Sequence, residues 1–298
     1  MAFTPVNPYQ LQTVLCTMEK RLPKSAKEYN LVKMSLRGFF PPSVTNRIFA
    51  YKDIIEEDVP WSTAFIVIIQ YRKIYDDNAV ILSIPSSPTD TMLEALESII
   101  NWNGPITFAE IEDKYTPTIL HMSAKYGTSV VGCSCQFSSI MEKDATKITN
   151  ISSELPNKVR VTQLSVSDTK FVSENRKFST FEFTADEIQH FGGAGVYVDS
   201  ELVSCALMSG IGSINGLWTD VNERGKGYAE LAMRKVIEMA TKKGLLPNVQ
   251  VEPYNLSSQR LMEKLGFKVS HLVDIIFFKP FELQINNCPK HYCAINYN

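Results

Sequence analysis

The segment Trp218-Thr-Asp-Val-Asn-Glu-Arg224-Gly-Lys-Gly-Tyr-Ala229 decides the fold and indicates the kind of ligand that the chain binds. It predicts a β-strand that ends in a turn with two glycines and continues directly into an amphipathic helix. Such a turn directs several backbone N–H groups and the positive end of a helix dipole at one place. Because that arrangement binds phosphate, we expect a phosphate-bearing ligand here.

Three residues of the turn support this interpretation. Gly225 and Gly227 allow the backbone to approach a ligand closely, and we expect a positive φ at Gly227. Lys226 adds a positive charge beside the phosphates. An ordinary tight turn between a strand and a helix is the alternative. The segment is neither a dinucleotide-binding fingerprint, since the third glycine is missing, nor a P-loop, since no Gly-Lys-Ser/Thr closes the turn.

The helix after the turn is predicted to run from residue 227 to 243. Its apolar residues recur at helical spacing: Ala229, Ala232, Met233, Val236 and Ala240. Glu230 precedes Arg234, and Glu238 precedes Lys242, by four residues each, which is the favourable order for ion pairs on a helix. We therefore expect this helix to pack its apolar face on a sheet.

The remaining segments predict an α/β (α+β) fold, a mixed sheet with flanking helices. Strands are predicted at 65–71, 79–84, 159–164, 195–198, 202–208, 214–221, 249–251 and 268–278. Further helices are predicted at 8–21, 90–100, 116–126, 169–178 and 257–265. The polar stretch from Ala145 to Lys158 predicts a domain junction. We place the first domain at 1–150 and the second at 159–298.

Composition limits the class of protein. The chain has 298 residues, is 44% hydrophobic and 21% charged, and carries a formal net charge of -2. It lacks the basic excess of most nucleic-acid-binding proteins. No apolar run reaches the ~18 residues that a membrane span requires. We interpret the six cysteines as reduced thiols of an intracellular protein.

A metal site is not expected. The two thiols of Cys133-Ser-Cys135 lack the spacing of the usual zinc or redox pair. The segment Cys288-Pro-Lys-His291-Tyr-Cys293 offers ligands, but no second cluster completes a set of four.

Two motifs carry a resemblance to a known family. The turn from Arg224 to Ala229 resembles the Arg/Gln-x-x-Gly-x-Gly/Ala loop of the GNAT acyltransferase superfamily, which holds the pyrophosphate of coenzyme A. Asn255-Leu-Ser-Ser-Gln-Arg-Leu-Met-Glu-Lys-Leu-Gly-Phe267 resembles the second motif of that superfamily, a short helix that ends in Lys-Leu-Gly-Phe. The capped amphipathic helix that this segment also predicts is its simpler interpretation.

A narrower resemblance covers nearly the whole chain. The length, the strand-rich first half, Ile100-Asn-Trp-Asn103 and Gln163-Leu-Ser-Val-Ser-Asp168 resemble glycine N-acyltransferases. This resemblance implies two GNAT-like domains, the first of them degenerate. It also implies a mostly antiparallel sheet whose central strands splay apart to admit the pantetheine arm.

The resemblance implies that acyl-CoA is a co-substrate, with no permanently bound cofactor. The residues expected to contact coenzyme A are Thr219, Val221, Arg224, Gly225, Lys226, Gly227, Tyr228, Ala229, Asn255 and Ser258. A backbone N–H near Thr219 is expected to polarise the thioester carbonyl. Asp220, between Thr219 and Val221, is assigned to the turn.

The catalytic position departs from the family pattern. The glutamate of glycine N-acyltransferases lies eleven residues before the loop arginine, where this chain has Ser213. The tyrosine acid of many GNAT enzymes is replaced by Met262. Glu252, at the end of the predicted strand 249–251, is the best substitute base, and a solvated strand-end carboxylate is the alternative. His190 is a further candidate, although a lone histidine is more often structural.

These inferences lead to an expected function and to two alternatives. We expect an N-acyltransferase that moves an acyl group from acyl-CoA to glycine or a similar small amine by direct attack. The alternatives are a catalytically impaired acyl-CoA-binding protein and an acetyltransferase that acts on protein lysines. The family resemblance favours a mitochondrial location and the N-terminus leaves a cytoplasmic one open. The acyl chain length, the amine and the oligomeric state are left open by the sequence.

Overall fold

The computed structural model of the chain describes residues 3–51, 66–72, 77–83, 89–148, 155–176 and 179–282. These ranges contain twelve β-strands and nine α-helices, and most of the strand pairs are antiparallel. The predicted α/β class is therefore confirmed. None of the helices in the described ranges has the length and apolar character needed to cross a membrane.

The elements of the first half occur in the order strand, two helices, three strands, helix, strand, helix, strand. The strands are β1 Phe3–Pro5, β2 Val44–Tyr51, β3 Ile66–Arg72, β4 Asp77–Ser83, β5 Ile106–Glu112 and β6 Gly127–Ser139. The helices are α1 Leu11–Lys20, α2 Ala26–Leu36, α3 Thr89–Ser98, α4 Thr116–Ser123 and, after β6, α5 Glu142–Ile148.

The second half repeats that order. Its strands are β7 Val159–Gln163, β8 Gly193–Val198, β9 Glu201–Met208, β10 Ile214–Thr219, β11 Asn248–Val251 and β12 Lys268–Pro280. Its helices are α6 Thr169–Glu174, α7 Phe181–His190, α8 Tyr228–Lys242 and α9 Leu256–Lys264. The same succession of elements from β1 to β6 and from β7 to β12 supports the predicted pair of domains with one fold.

The chain divides into two compact units that are interleaved in sequence. One unit takes Met1–Glu28, Phe40–Cys135 and His271–Asn298, and the other takes Tyr29–Phe39 and Gln136–Ser270. Each unit therefore contains residues from both halves of the chain. The predicted domains, 1–150 and 159–298, were defined by motifs and stay a prediction.

Strand pairing explains this interleaving. In the first unit, β1 to β4 pair antiparallel in succession, β4 and β5 are parallel, and β5 pairs with residues 273–278 of β12. In the second unit, β7 to β10 pair antiparallel in succession, β10 and β11 are parallel, and β11 pairs with Gln136–Ser139 of β6. The last strand of each unit thus comes from the other half of the sequence.

Local sequence accounts for the elements of the second unit that hold the candidate site. Helix α8 buries Ala232, Met233, Val236 and Ala240 of the predicted apolar stripe. The expected ion pairs Glu230–Arg234 and Glu238–Lys242 are both present. The β8–β9 hairpin turns at Asp199-Ser200, and both residues adopt the positive φ that a tight two-residue turn requires.

Candidate functional site

The phosphate turn begins where β10 ends. Asp220 accepts a hydrogen bond from the backbone N–H of Asn222 at 2.8 Å and caps a short 3-10 turn over Val221–Glu223. The strand therefore ends at Thr219, and its predicted end at Val221 was wrong because the Asp220 cap turns the chain. Asp220 belongs to the turn, as expected, and Val221 is 67% exposed on it.

The two glycines give the turn its shape. The φ angles are +78° at Gly225 and +86° at Gly227, where the left-handed conformation leads directly into α8. The positive φ predicted at Gly227 is confirmed. A Cβ atom built on either glycine meets no atom within 4 Å, so the space in front of the turn is open.

Unpaired donors line that space. Within the described ranges, the backbone N–H groups of residues 225–229 have no hydrogen-bond acceptor, and the first that does is Glu230, which donates to the Gly227 carbonyl at 3.1 Å. Four of these free groups, at Lys226, Gly227, Tyr228 and Ala229, adjoin the positive end of the α8 dipole. The turn is therefore an anion-binding site in its geometry.

The basic side chains of the turn already have partners within the protein. Lys226 Nζ lies 3.0 Å from each carboxylate oxygen of Glu223. Arg224 Nε donates to the Thr219 carbonyl at 3.2 Å, which ties the turn to the end of β10. A bound phosphate would share or displace the Lys226–Glu223 pair, so the backbone donors contribute more to the binding geometry than this lysine does.

Strands β10 and β11 separate next to the turn. The two strands pair in parallel at the single position Ile214–Val249, although β10 continues to Thr219 and β11 to Val251. On its other side, β10 shifts register against β9 between Asn215 and Trp218, and Gly216 adopts a φ of +62° in that bulge. The expected splay between the central strands is therefore present.

One backbone donor of β10 faces the gap between these strands. Asp220 N donates to the Val203 carbonyl at 2.9 Å, and Trp218 lies opposite Cys205. Because the N–H groups of an antiparallel strand alternate in direction, the N–H of Thr219 points away from β9 and towards β11. This is the donor that the sequence assigned to the thioester carbonyl.

The second motif forms the start of α9. Asn255 Oδ1 accepts from the backbone N–H of Ser258 at 3.2 Å and caps the helix, and Asn255 N donates to the Glu252 carbonyl at 2.9 Å. The loop that follows β11 thereby holds Asn255 and Ser258 at the carboxyl end of the strand.

The two catalytic candidates lie at opposite ends of the strand pair. Ser213 is 4% exposed and directly precedes β10. Its backbone carbonyl accepts a hydrogen bond from the backbone N–H of Ser209 at 2.8 Å. Glu252 is partly exposed and directly follows β11. Since Ile214 pairs with Val249, Ser213 lies at the level of Asn248, and about four residues or ~13 Å of extended strand separate it from Glu252. Glu252 therefore does not occupy the place of the missing glutamate.

A buried carboxylate that the sequence did not single out is connected to Ser213 through Ser209. Glu187 of α7 is fully buried, forms an ion pair with Arg176, and accepts from Ser209 Oγ at 2.9 Å. Arg176 Nη2 also donates to Asn215 Oδ1 at 3.0 Å. One signal was available: Glu187 lies three residues after Thr184, on the buried face of an amphipathic helix.

The other candidates stand apart from this arrangement. His190 is exposed, and its Nε2 lies 3.6 Å from Asp186 Oδ1 on the same helix. Among the described residues, Cys16, Cys133, Cys135 and Cys205 form no disulfide, and no group of three metal-ligating side chains occurs. Burial raises the pKa of the Cys205 thiol to about 12, so it is not a nucleophile. The segment 288–293 lies outside the described residues.

Comparisons with known proteins agree with this geometry. The acetyltransferase (GNAT) family model matches residues 160–267. No curated protein matches the chain. A Drosophila protein of solved structure has a TM-score of 0.74 at 13% identity, over 94% of this chain and 99% of that one. A tandem GNAT protein from the clavulanic acid biosynthesis pathway has a TM-score of 0.51 at 10% identity, over 93% and 98% of the chains.

At these identities, the structural likeness establishes the fold rather than the substrate. Over residues 160–267 the family match includes both motifs, the splayed strands and the phosphate turn. Residues 160–267 thus match the GNAT acetyltransferase family, and the chain has the GNAT fold in a tandem layout.

Proposed function

We propose that the protein transfers an acyl group from acyl-CoA to the amine of glycine or a similar small acceptor. The observation that carries this proposal is the row of unpaired N–H groups over residues 225–229, set beside the gap between β10 and β11. Together they offer a site for a pyrophosphate and a passage for a pantetheine arm.

In this proposal each part of coenzyme A has a place. The pyrophosphate lies on the turn from Arg224 to Ala229, and the pantetheine arm lies between β10 and β11. The N–H of Thr219 donates to the thioester oxygen and stabilises the negative charge that develops there. Val221, on the exposed turn, and Asn255 and Ser258, at the start of α9, flank the cofactor.

The chemical step is a direct attack. The neutral amine nitrogen forms a bond to the thioester carbon, and the carbon–sulfur bond breaks with its electron pair going to sulfur. The proton lost by the nitrogen passes to the base and then to the leaving thiolate, which gives free coenzyme A. A lysine-like amine with a pKa of ~10.4 is neutral in only about one molecule in 10³ near pH 7.4, so a base accelerates the reaction. Glu252 is the candidate for that base, because Ser213 carries no carboxylate.

A panel assay tests the proposal. The protein is incubated with acyl-CoAs of increasing chain length and with glycine, other amino acids or a lysine peptide, and the products are identified by mass spectrometry. We expect an N-acyl amino acid and an equal amount of free coenzyme A.

Two other outcomes would reject this function in favour of the alternatives. Binding of acyl-CoA without transfer to any amine identifies an acyl-CoA-binding protein. Transfer to the lysine peptide alone identifies a protein lysine acetyltransferase. The mitochondrial location is proposed on the narrower family resemblance only, and cell fractionation tests it.

A further inference from the structure

We propose that Arg176 and Asn215 bind the carboxylate of the amine acceptor, which makes free amino acids the acceptor class. This inference rests on the proposed acyl transfer and concerns the same site. It is carried by an arrangement of hydrogen-bond donors at the β10 bulge, on the face of the sheet that α6 and α7 cover.

The face follows from the packing of β9 and β10. Cys205 and Leu207 of β9 pack with Val172 of α6 and Ile188 of α7. Trp218 of β10 lies on the same side, with its ring centroid 5.0 Å from that of Phe171. Helix α8 packs on the same strands but adds no residue to this cluster, so it covers the opposite face.

The position of the acceptor follows from these two faces of the sheet. The pyrophosphate site belongs to the α8 end of the turn, and the acyl chain passes through the gap between β10 and β11. An amine can then reach the thioester carbon from the face of α6 and α7, where Asn215 and Trp218 flank the bulge. The acceptor pocket is thus lined by that amide and that indole.

Arg176 is held against the bulge. Its Nε and Cδ lie 3.4 Å and 3.5 Å from the position of a Cβ built on Gly216. Glu187 holds the guanidinium through Nη1, and the guanidinium carbon lies 5.4 Å from the centre of the Phe183 ring. Glu187 is itself fixed by Ser209 Oγ, so the plane of the guanidinium is set before any ligand binds.

The same arginine orients Asn215. Arg176 Nη2 can only donate, so the Asn215 atom at 3.0 Å must be the amide oxygen. The Nδ2 group of Asn215 then points away from the arginine, and within the described ranges it has no acceptor. Arg176 Nε likewise has no acceptor there.

The two unused groups, Arg176 Nε and Asn215 Nδ2, are therefore both donors. Among the described residues, the indole N–H of Trp218, next to the bulge, has no acceptor either. A carboxylate accepts several hydrogen bonds and matches such a set, whereas the amine of an acceptor does not. In an α-amino acid a single carbon joins the carboxylate to the amine. Binding of the carboxylate at Arg176 and Asn215 would thus hold the amine at the bulge of β10.

The variant Asn215→Asp tests this site with little change of shape. The carboxylate still accepts from Arg176, but it replaces the Nδ2 donors with an oxygen that repels another carboxylate. We expect the KM for glycine to rise about tenfold or more, the loss that corresponds to one charge-assisted hydrogen bond. The KM for ethanolamine, which has no carboxylate, and the KM for acyl-CoA should change less than about twofold.

The controls separate a site effect from a folding effect. Asn157→Asp adds the same charge at an exposed position and should leave both KM values unchanged. Arg176→Lys keeps the positive charge opposite Glu187 and should also raise the KM for glycine relative to ethanolamine. Thermal unfolding of each variant identifies any loss of fold.

The outcomes distinguish this inference from the proposed function. Equal KM changes for glycine and ethanolamine in Asn215→Asp would overturn the carboxylate site while acyl transfer stands. If no amine is acylated by the wild type, the proposed function fails. Calorimetric binding of glycine to the CoA-bound protein then still tests the carboxylate site. Binding that is lost in Asn215→Asp supports the site, and binding that is unchanged or absent in the wild type overturns it.

Discussion

Gly227 joins the phosphate turn to helix α8 in a backbone conformation that residues other than glycine rarely adopt. Its φ of +86° places the free N–H groups of the turn beside the first turn of the helix. The open space over its α-carbon is where a phosphate would lie, so a side chain here would both strain the backbone and fill the site.

Replacing Gly227 with valine should weaken CoA binding about tenfold or more, or ~1.4 kcal/mol, in a calorimetric titration. The matched control is Gly38→Val. Gly38 also has a positive φ, +62°, and open space, but it lies outside the site. Both variants should lose similar stability from backbone strain, whereas only Gly227→Val should lose affinity. Equal CoA affinity in the two variants contradicts the phosphate site.

The structure offers two different positions for the catalytic base, Ser213 and Glu252. Ser213 is buried at the start of β10, whereas Glu252 lies past the end of β11 and beside the loop that carries Asn255. A base at Glu252 therefore has to act from the end of the gap nearer the phosphate turn.

A pH–rate profile of Glu252→Gln and Ser213→Glu at saturating acyl-CoA separates the possibilities. If Glu252 is the base, Glu252→Gln should reduce kcat about 10²-fold near neutral pH and remove the pH dependence that its carboxylate confers. If no base operates, Glu252→Gln should have little effect, the rate should rise with pH as neutral amine accumulates, and Ser213→Glu should increase turnover. An unchanged profile in both variants excludes both positions.

Strand β10 is the element that shapes the site. Its bulge at Gly216 breaks the register with β9, and its pairing with β11 is confined to the first residue. The bulge and the splay together free the Thr219 N–H and position Asn215. The predicted strand 214–221 has the right start, but the sequence does not mark the bulge, because a glycine within a strand is compatible with regular pairing as well.

Gly216→Ala tests the bulge. An alanine Cβ would lie 2.8 Å from Leu207 Cδ1, in a residue with a φ of +62°. We expect a loss of stability of about 1–3 kcal/mol in urea unfolding, together with weaker acyl-CoA binding as β10 relaxes. Gly104→Ala, where a Cβ meets nothing within 4 Å, is the control and should change neither property. Normal stability in Gly216→Ala would contradict the strain at the bulge.

At the scale of the whole molecule, the interleaving of the two units brings a segment of the first half of the sequence into the unit that contains the site. Asn30, from the first half of the sequence, belongs to the same unit as the site and is 1% exposed. Its Nδ2 donates to the Gly212 and Leu246 carbonyls at 2.7 Å and 2.8 Å, and its Oδ1 accepts from Leu246 N at 2.8 Å. The segments before β10 and β11 are thus joined by a distant residue.

Asn30→Ala should destabilise the protein by about 1–3 kcal/mol in urea unfolding. Asn248 Nδ2 also donates to the Gly212 and Leu246 carbonyls, so the cost comes mainly from the buried N–H of Leu246, which loses its acceptor. Asn103→Ala, at an exposed position, should stay within about 0.5 kcal/mol of the wild type. Equal stability of the two variants contradicts the role of Asn30.

The sequence by itself determined the features that depend on neighbouring residues. The phosphate turn, the positive φ at Gly227 and the ion pairs of α8 all follow from residues that are neighbours in the sequence. The resemblance of the loop and of the second motif to the GNAT superfamily also indicated the fold, because both motifs are local patterns.

Only the tertiary structure decided which distant residues meet. The alternation of apolar and polar residues predicts a strand but not the strand it pairs with. The pairing of β12 with β5 and of β6 with β11 was therefore not predictable from it. The burial of Glu187 against Arg176, and the orientation this gives Asn215, likewise require three segments to come together. Such contacts are set by the free energy of the packed whole, in which a buried charge is stable only when its partner is also in place.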